Sequence, residues 1–250
     1  MAAAAAGAGH ELVVTARKTA DLEDLAAAWP GRIVPVPLEL RDPASCEEAV
    51  RTAVDRLGGI DVLVNNAGVG LFGAVEEVSD AELREQLEIL LVGPWRLARL
   101  ALPLMRAQGH GHILNVSSIV GRMAFPGLGA YVAAKHALEG MSEALVVEAA
   151  PHGIRVTVVE PGMFATRYGT AMTEAAHRVP AYDMTNREML EGARGLADSP
   201  ETGRPDDYAA RVLAIVHADV RLLHLDDRRV PLGDAALLEL GERGAGDAAL

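Results

Sequence analysis

Short β-branched runs alternate along the chain with longer amphipathic or Ala-rich stretches. Runs at 11–15, 33–37, 60–64, 112–116 and 155–159 predict strands, and a weaker one lies at 221–225. Several read as nearly continuous apolar runs, such as Asp61-Val62-Leu63-Val64 and Val156-Thr157-Val158-Val159. Strands covered by helices on both faces have this character, because neither face meets water. Between them, helical patterns run over 21–28, 43–57, 80–108, 129–150 and 205–218. This alternation predicts βαβ units and a Rossmann-type doubly wound parallel sheet in one domain spanning 1–250.

The boundaries carry their own signals. Ser79 with Glu82 three residues on predicts a capping box. Asp42-Pro43 predicts an N-cap followed by proline in the first turn, and Gly58-Gly59 a helix stop. The stretch 197–207 reads as a surface loop and 241–250 as a frayed tail.

Composition narrows the function. The 250 residues are 50% hydrophobic and 23% charged, an ordinary globular mixture. Net charge is −12, which argues against nucleic acid as a partner. A single cysteine, Cys46, excludes an internal disulfide, and its acidic neighbours Glu47 and Glu48 predict an inert thiol. No uncharged apolar run is long enough to span a membrane, and the Ala-rich start lacks a basic leader pattern. The expected location is the cytoplasm. His110-Gly111-His112 has no third ligand nearby and reads as a strand-entry turn rather than a metal site.

The sharpest chemical signal is Tyr131-Val132-Ala133-Ala134-Lys135. On a helix the phenol and the ammonium project from one face. A nearby cation favours the phenolate, which suits acid/base work near neutral pH. The chain holds four tyrosines and two lysines, Lys18 and Lys135, so this pairing is improbable by chance. Ser118 follows a predicted strand and precedes Tyr131 by 13 residues, within reach of orienting a substrate oxygen. Asn65-Asn66-Ala67-Gly68 and Pro161-Gly162 also follow predicted strands, where small residues let a ligand approach the backbone.

Taken together, Asn65 to Gly68, Ser118, Tyr131-x-x-x-Lys135 and Pro161-Gly162 resemble the short-chain dehydrogenase/reductase family in order and spacing, over about residues 8 to 235. The resemblance implies NAD(P)-dependent hydride transfer, with Tyr131 as general acid/base, Lys135 on the nicotinamide ribose and Ser118 on the substrate oxygen. It also implies that Asn66, Ala67 and Gly68 lie near the adenosine side, that Pro161, Gly162 and Thr166 flank the nicotinamide, and that the segment 163–200 is a substrate lid. Glu39 stands where the family usually has an Asp beside the adenine. Relatives commonly form dimers or tetramers through helices matching 80–108 and 129–150.

A carboxylate after the second Rossmann strand would select NAD; here Arg17 and Lys18 follow Val14-Thr15-Ala16, which favours NADP, with NAD possible. Flexible side chains such as Met163, Met172, Met184 and Met189 suit an apolar carbonyl or secondary alcohol as substrate.

Two departures stand out. The family's first strand and glycine-rich turn are missing before Ala2, so the expectation is that Met1 is not the true start. The alternative is a shortened chain that pairs its second and fourth strands directly. Leu90 occupies the place of a family Asn that holds a water in a proton relay. Both departures keep open a catalytically impaired binding or regulatory protein as the alternative to an active oxidoreductase.

Overall fold

The computed structural model describes residues 1–162, 164, 171–195, 202–218 and 224–226. In chain order its strands are Leu12–Ala16 (β1), Ile33–Pro37 (β2), Val62–Asn65 (β3), Leu71–Phe72 (β4), Gly111–Val116 (β5), Ile154–Glu160 (β6), Thr173–Glu174 (β7) and His224–Asp226 (β8). The helices are Ala2–Gly7 (α1), Glu23–Ala28 (α2), Pro43–Leu57 (α3), Asp80–Leu87 (α4), Gly93–Gln108 (α5), Gly129–Ala149 (α6), Asp183–Gly195 (α7) and Pro205–His217 (α8). All strand pairs are parallel: β1 with β2, β4 with β7, and β3-β5-β6-β8 in that order.

Alternation along β5 explains the layering. Ile113 faces Ala98, Ala101 and Met105 of α5 and Leu145 and Ala149 of α6. Leu114, one residue on, faces the opposite side with Val159, Val212 and Met1. Helices therefore cover both faces of the central strands, as their unbroken apolar runs require.

The local signals act as read. Ser79 and Glu82 close a reciprocal capping box on α4, Asp42 accepts from the Ala44 amide, and Gly58 ends α3 in the left-handed conformation. The predicted helix at 80–108 is instead two helices joined by a π-helical turn, Glu88–Val92. Pro94 has no amide proton to give the Leu90 carbonyl four residues back, so the ladder shifts register there. Helix α8 begins at Pro205, inside the stretch read as loop, and residues 241–250 lie outside the described ones.

The sheet is split. Neither direct pairing of β1 with β3 nor an intervening strand is found among the described residues. Val64 of β3 is 39% exposed, and no residue of β1 is fully buried. No helix among the described residues is long and apolar enough to cross a membrane.

Candidate active site

Strand register assembles the site. Asn65 lies opposite Asn115, and Asn115 opposite Val158, so the chain leaves β3, β5 and β6 along one rim. The Ser117 amide donates to the Val159 carbonyl at 2.7 Å and the Ile119 amide to the Pro161 carbonyl at 3.2 Å. This fastens Ser118 beside Pro161 and Gly162, all half-buried. Ser118 caps a 3-10 turn, Ile119–Gly121, its Oγ accepting from the Val120 amide at 3.4 Å. Asn66, Ala67 and Gly68 are exposed at the end of β3.

Helix α6 brings the other two candidates to this rim. Tyr131 and Lys135 lie one turn apart and are 6% and 4% exposed. The Tyr131 ring packs with Val120, Ile119, Leu90 and Ala134. The Lys135 Nζ donates to the Val116 carbonyl at 2.6 Å and stands 5.8 Å from the centroid of the Tyr131 ring. Burial pulls the Lys135 ammonium down to about 8, against the Glu139 carboxylate, which holds the proton on.

Several polar residues near the site were not singled out from sequence. Glu139 is 4% exposed, one further turn along α6, with Ser117, Arg122 and Glu160 around it. Its signal was available: an acid four residues past Lys135 falls on the same helical stripe. Asn65 Nδ2 donates to Asn115 Oδ1, and Asn115 Nδ2 to Ser142 Oγ, both at 2.8 Å, tying β3, β5 and α6 together. Asn65 therefore braces the strand ends, leaving Asn66 to Gly68 facing outward.

Arg17 and Lys18 are exposed just past β1. Glu39 is not free to meet an adenine unaided: Arg41 donates to it from Nε at 2.9 Å and Nη2 at 2.7 Å. That pairing is the largest cause holding the Glu39 carboxyl down to about 2. Thr166 and Met163 lie outside the described residues. In the segment flanking the site, Met172 and Leu190 bury against Phe72 with Met189 packed beside them, while Met184 is exposed. Met172 and Met189 thus belong to the core rather than to an open pocket. His110 Nε2 faces Asp61 at 3.0 Å and His112 Nε2 meets Thr157 Oγ1 at 2.8 Å, so the two rings have separate partners. Burial, more than nearby acids, raises the Cys46 thiol.

The chemistry of Lys135 fits the ribose end of a dinucleotide. Lys135 spends one ammonium proton on Val116 and keeps two for a ribose diol. Arg17 offers an exposed, permanent cation just past β1. No glycine turn following a strand lies between β1 and β3 among the described residues, so a pyrophosphate finds no such cradle there.

A family model described as short chain dehydrogenase matches residues 1–177. The chain is 35% identical over 217 residues to oxidoreductase BOA17 of Botryotinia fuckeliana, covering 86% of this chain and 79% of that protein. It is 37% identical over 205 residues to oxidoreductase claN of Passalora fulva, 79% of this chain and 90% of that one. Among solved structures, a short-chain dehydrogenase from Streptomyces avermitilis matches with a TM-score of 0.82 and 39% identity, over 90% of this chain and 81% of that one. An alcohol dehydrogenase from the archaeon Thermococcus sibiricus, complexed with 5-hydroxy-NADP, matches at 0.72 and 27% identity, over 90% and 88%.

Proposed function

The chain belongs to the short chain dehydrogenase family and is a nicotinamide-dependent oxidoreductase; from that premise we propose that it interconverts an apolar carbonyl compound and its secondary alcohol, with Tyr131 as general acid/base. One observation carries this reading. A phenol and an ammonium one helical turn apart are buried together against the end of β5, where Ser118 leaves the strand.

When bound, the nicotinamide supplies or accepts the hydride. In reduction, the Tyr131 hydroxyl gives its proton to the substrate oxygen; in oxidation, the phenolate takes it back. The Ser118 hydroxyl holds that oxygen in place. Lys135 stabilises the phenolate by its charge and holds the ribose with its remaining protons. Leu90 contributes apolar packing against Tyr131 and Ala134 and no hydrogen bond, so proton traffic past Lys135 takes another route.

For the cofactor we favour NADP. Arg17 and Lys18 follow β1 with no acid at that strand end, which suits a 2′-phosphate. The similar Thermococcus sibiricus enzyme was solved with an NADP derivative. The assembly we favour is a dimer or tetramer in the cytoplasm. Trp95 of α5 and Val147 of α6 are 56% and 75% exposed, on the two helices through which the family resemblance implies pairing. A catalytically silent binding protein is the second reading, favoured by the lack of pairing between β1 and β3 among the described residues.

The test is NADPH and NADH fluorescence titration, followed by loss of nicotinamide absorbance with a panel of apolar ketones. Tighter NADPH binding and turnover that falls about 10²–10⁴-fold in Tyr131→Phe support the enzyme. Saturable binding with no turnover of any ketone or alcohol supports the silent reading. Undiminished turnover in Tyr131→Phe overturns the acid/base assignment.

A further inference from the structure

We propose that Glu139 is a positioning residue of this site: the buried counter-charge that keeps Lys135 an ammonium, and through it keeps Tyr131 competent. The inference rests on the acid/base reading of Tyr131 and Lys135 and extends it one turn deeper into the protein.

Three residues of α6 at four-residue spacing, Tyr131, Lys135 and Glu139, form one stripe, and all three are buried. A buried ammonium needs an opposite charge, because removal from water penalises the charged form. The Val116 carbonyl supplies a dipole to Nζ, but Glu139 is the carboxylate that acts on Lys135. On the other flank of this stripe, the fully buried Leu90 packs against Tyr131 and Ala134 and gives only hydrocarbon.

The surroundings of Glu139 are built for a carboxyl group. The turn after β5 contributes Ser117, whose buried hydroxyl lies beside it and favours its charged form, and Arg122. Strand β6 contributes Glu160, which accepts from Arg122 Nε at 2.8 Å. Helix α6 itself contributes Lys135 and the exposed Glu143. Gly121 makes room: a Cβ there would stand 2.5 Å from Ser117 Oγ and 2.7 Å from Glu139 Oε1. Arg122 is 41% exposed at its side chain, so the cluster reaches solvent through it.

The balance around Glu139 places it near a threshold. Burial first, then Glu160 and Glu143, raise its carboxyl, while Ser117 and Arg122 lower it, leaving it at about 7. Below that pH Glu139 is neutral and Lys135 has no counter-charge. Above it the pair is ionic. The polarity of the stripe therefore changes across neutral pH, while the covalent parts stay the same.

The chain has two lysines, so ¹³C-lysine NMR reads Lys135 directly, without cofactor or substrate; Lys18→Arg assigns the two signals. In the wild-type protein the Lys135 signal should titrate near 8 and carry a second inflection near 7 from Glu139. Glu139→Gln should abolish the inflection near 7 and lower Lys135 proton affinity about tenfold. Glu139→Asp, which keeps the charge, should retain the inflection. In turnover, Glu139→Gln should match wild type at pH 6, where Glu139 is already protonated, and fall about fivefold at pH 8. A purely structural role would lower both equally. A wild-type Lys135 signal with one inflection overturns the proposal without any variant, and so does an unchanged Lys135 titration in Glu139→Gln. If Tyr131→Phe keeps full turnover while the NMR result holds, the acid/base reading fails and the counter-charge stands.

Discussion

His112 and Glu139 are both ionisable and buried, yet the fold uses them differently. His112 lies between β5 and β6 against Thr157, and burial first, with Arg155 second, holds it down to about 4. Its neutral form is the one that folds. Its contribution to stability is therefore present above about 6.5 and lost as pH falls through 4, a change on the order of 3 kcal/mol. Urea unfolding should show the wild-type midpoint dropping between pH 6.5 and 4 more steeply than that of His112→Asn; parallel curves would contradict this. Glu139 is ionised and neutral within the working range, which is why it suits a site and His112 does not. The placement of Tyr131 and Lys135 on one face of α6, and of Ser118 just past β5, was legible in sequence because it depends on spacing along one helix and after one strand. The Arg41 clamp on Glu39 was not, since nothing in the residue order says that two neighbours of opposite charge will fold onto each other rather than face a ligand.

Elements built from long, periodic segments were legible; those set by a few contacts were not. Helix α3 matches its predicted bounds because Asp42, Pro43 and Gly58 mark both ends. The single helix expected over 80–108 breaks where Pro94 cannot donate to Leu90, a signal present in the sequence but masked by strong flanking periodicity. The β4–β7 pair is two residues long on each side, and tertiary packing of Met172 and Leu190 on Phe72 decides it. Strand edges also have a measurable consequence. β5 is flanked by β3 and β6, whereas β1 and β3 each have one paired neighbour among the described residues. In this chain as it stands, β5 amides should exchange slowest. Amides of β1 and β3 that point away from β2 and β5 should exchange at least a hundredfold faster, as measured by NMR hydrogen exchange (about 3 kcal/mol of local opening). Uniform protection across β1 and β3 would show that those edges are covered.

At the scale of the whole molecule, parallel strands end together, and that is why residues from 66 to 162 meet at one rim. Each piece of the site is ambiguous alone; the register of β3, β5 and β6 and the face of α6 make them one constellation. The split between β1 and β3 belongs to the same scale: whether such strands close up or stay apart depends on packing rather than on local pattern. The account rests on Tyr131 and Lys135 acting as one unit. A double-mutant cycle tests this most directly, with kcat/KM for NADPH-dependent ketone reduction measured in wild type, Tyr131→Phe, Lys135→Met and the double variant. If the phenol works only beside the ammonium, each single change costs about 10²–10⁴-fold and the double variant is no worse than either. Losses that multiply in the double variant would show two independent residues and contradict the account.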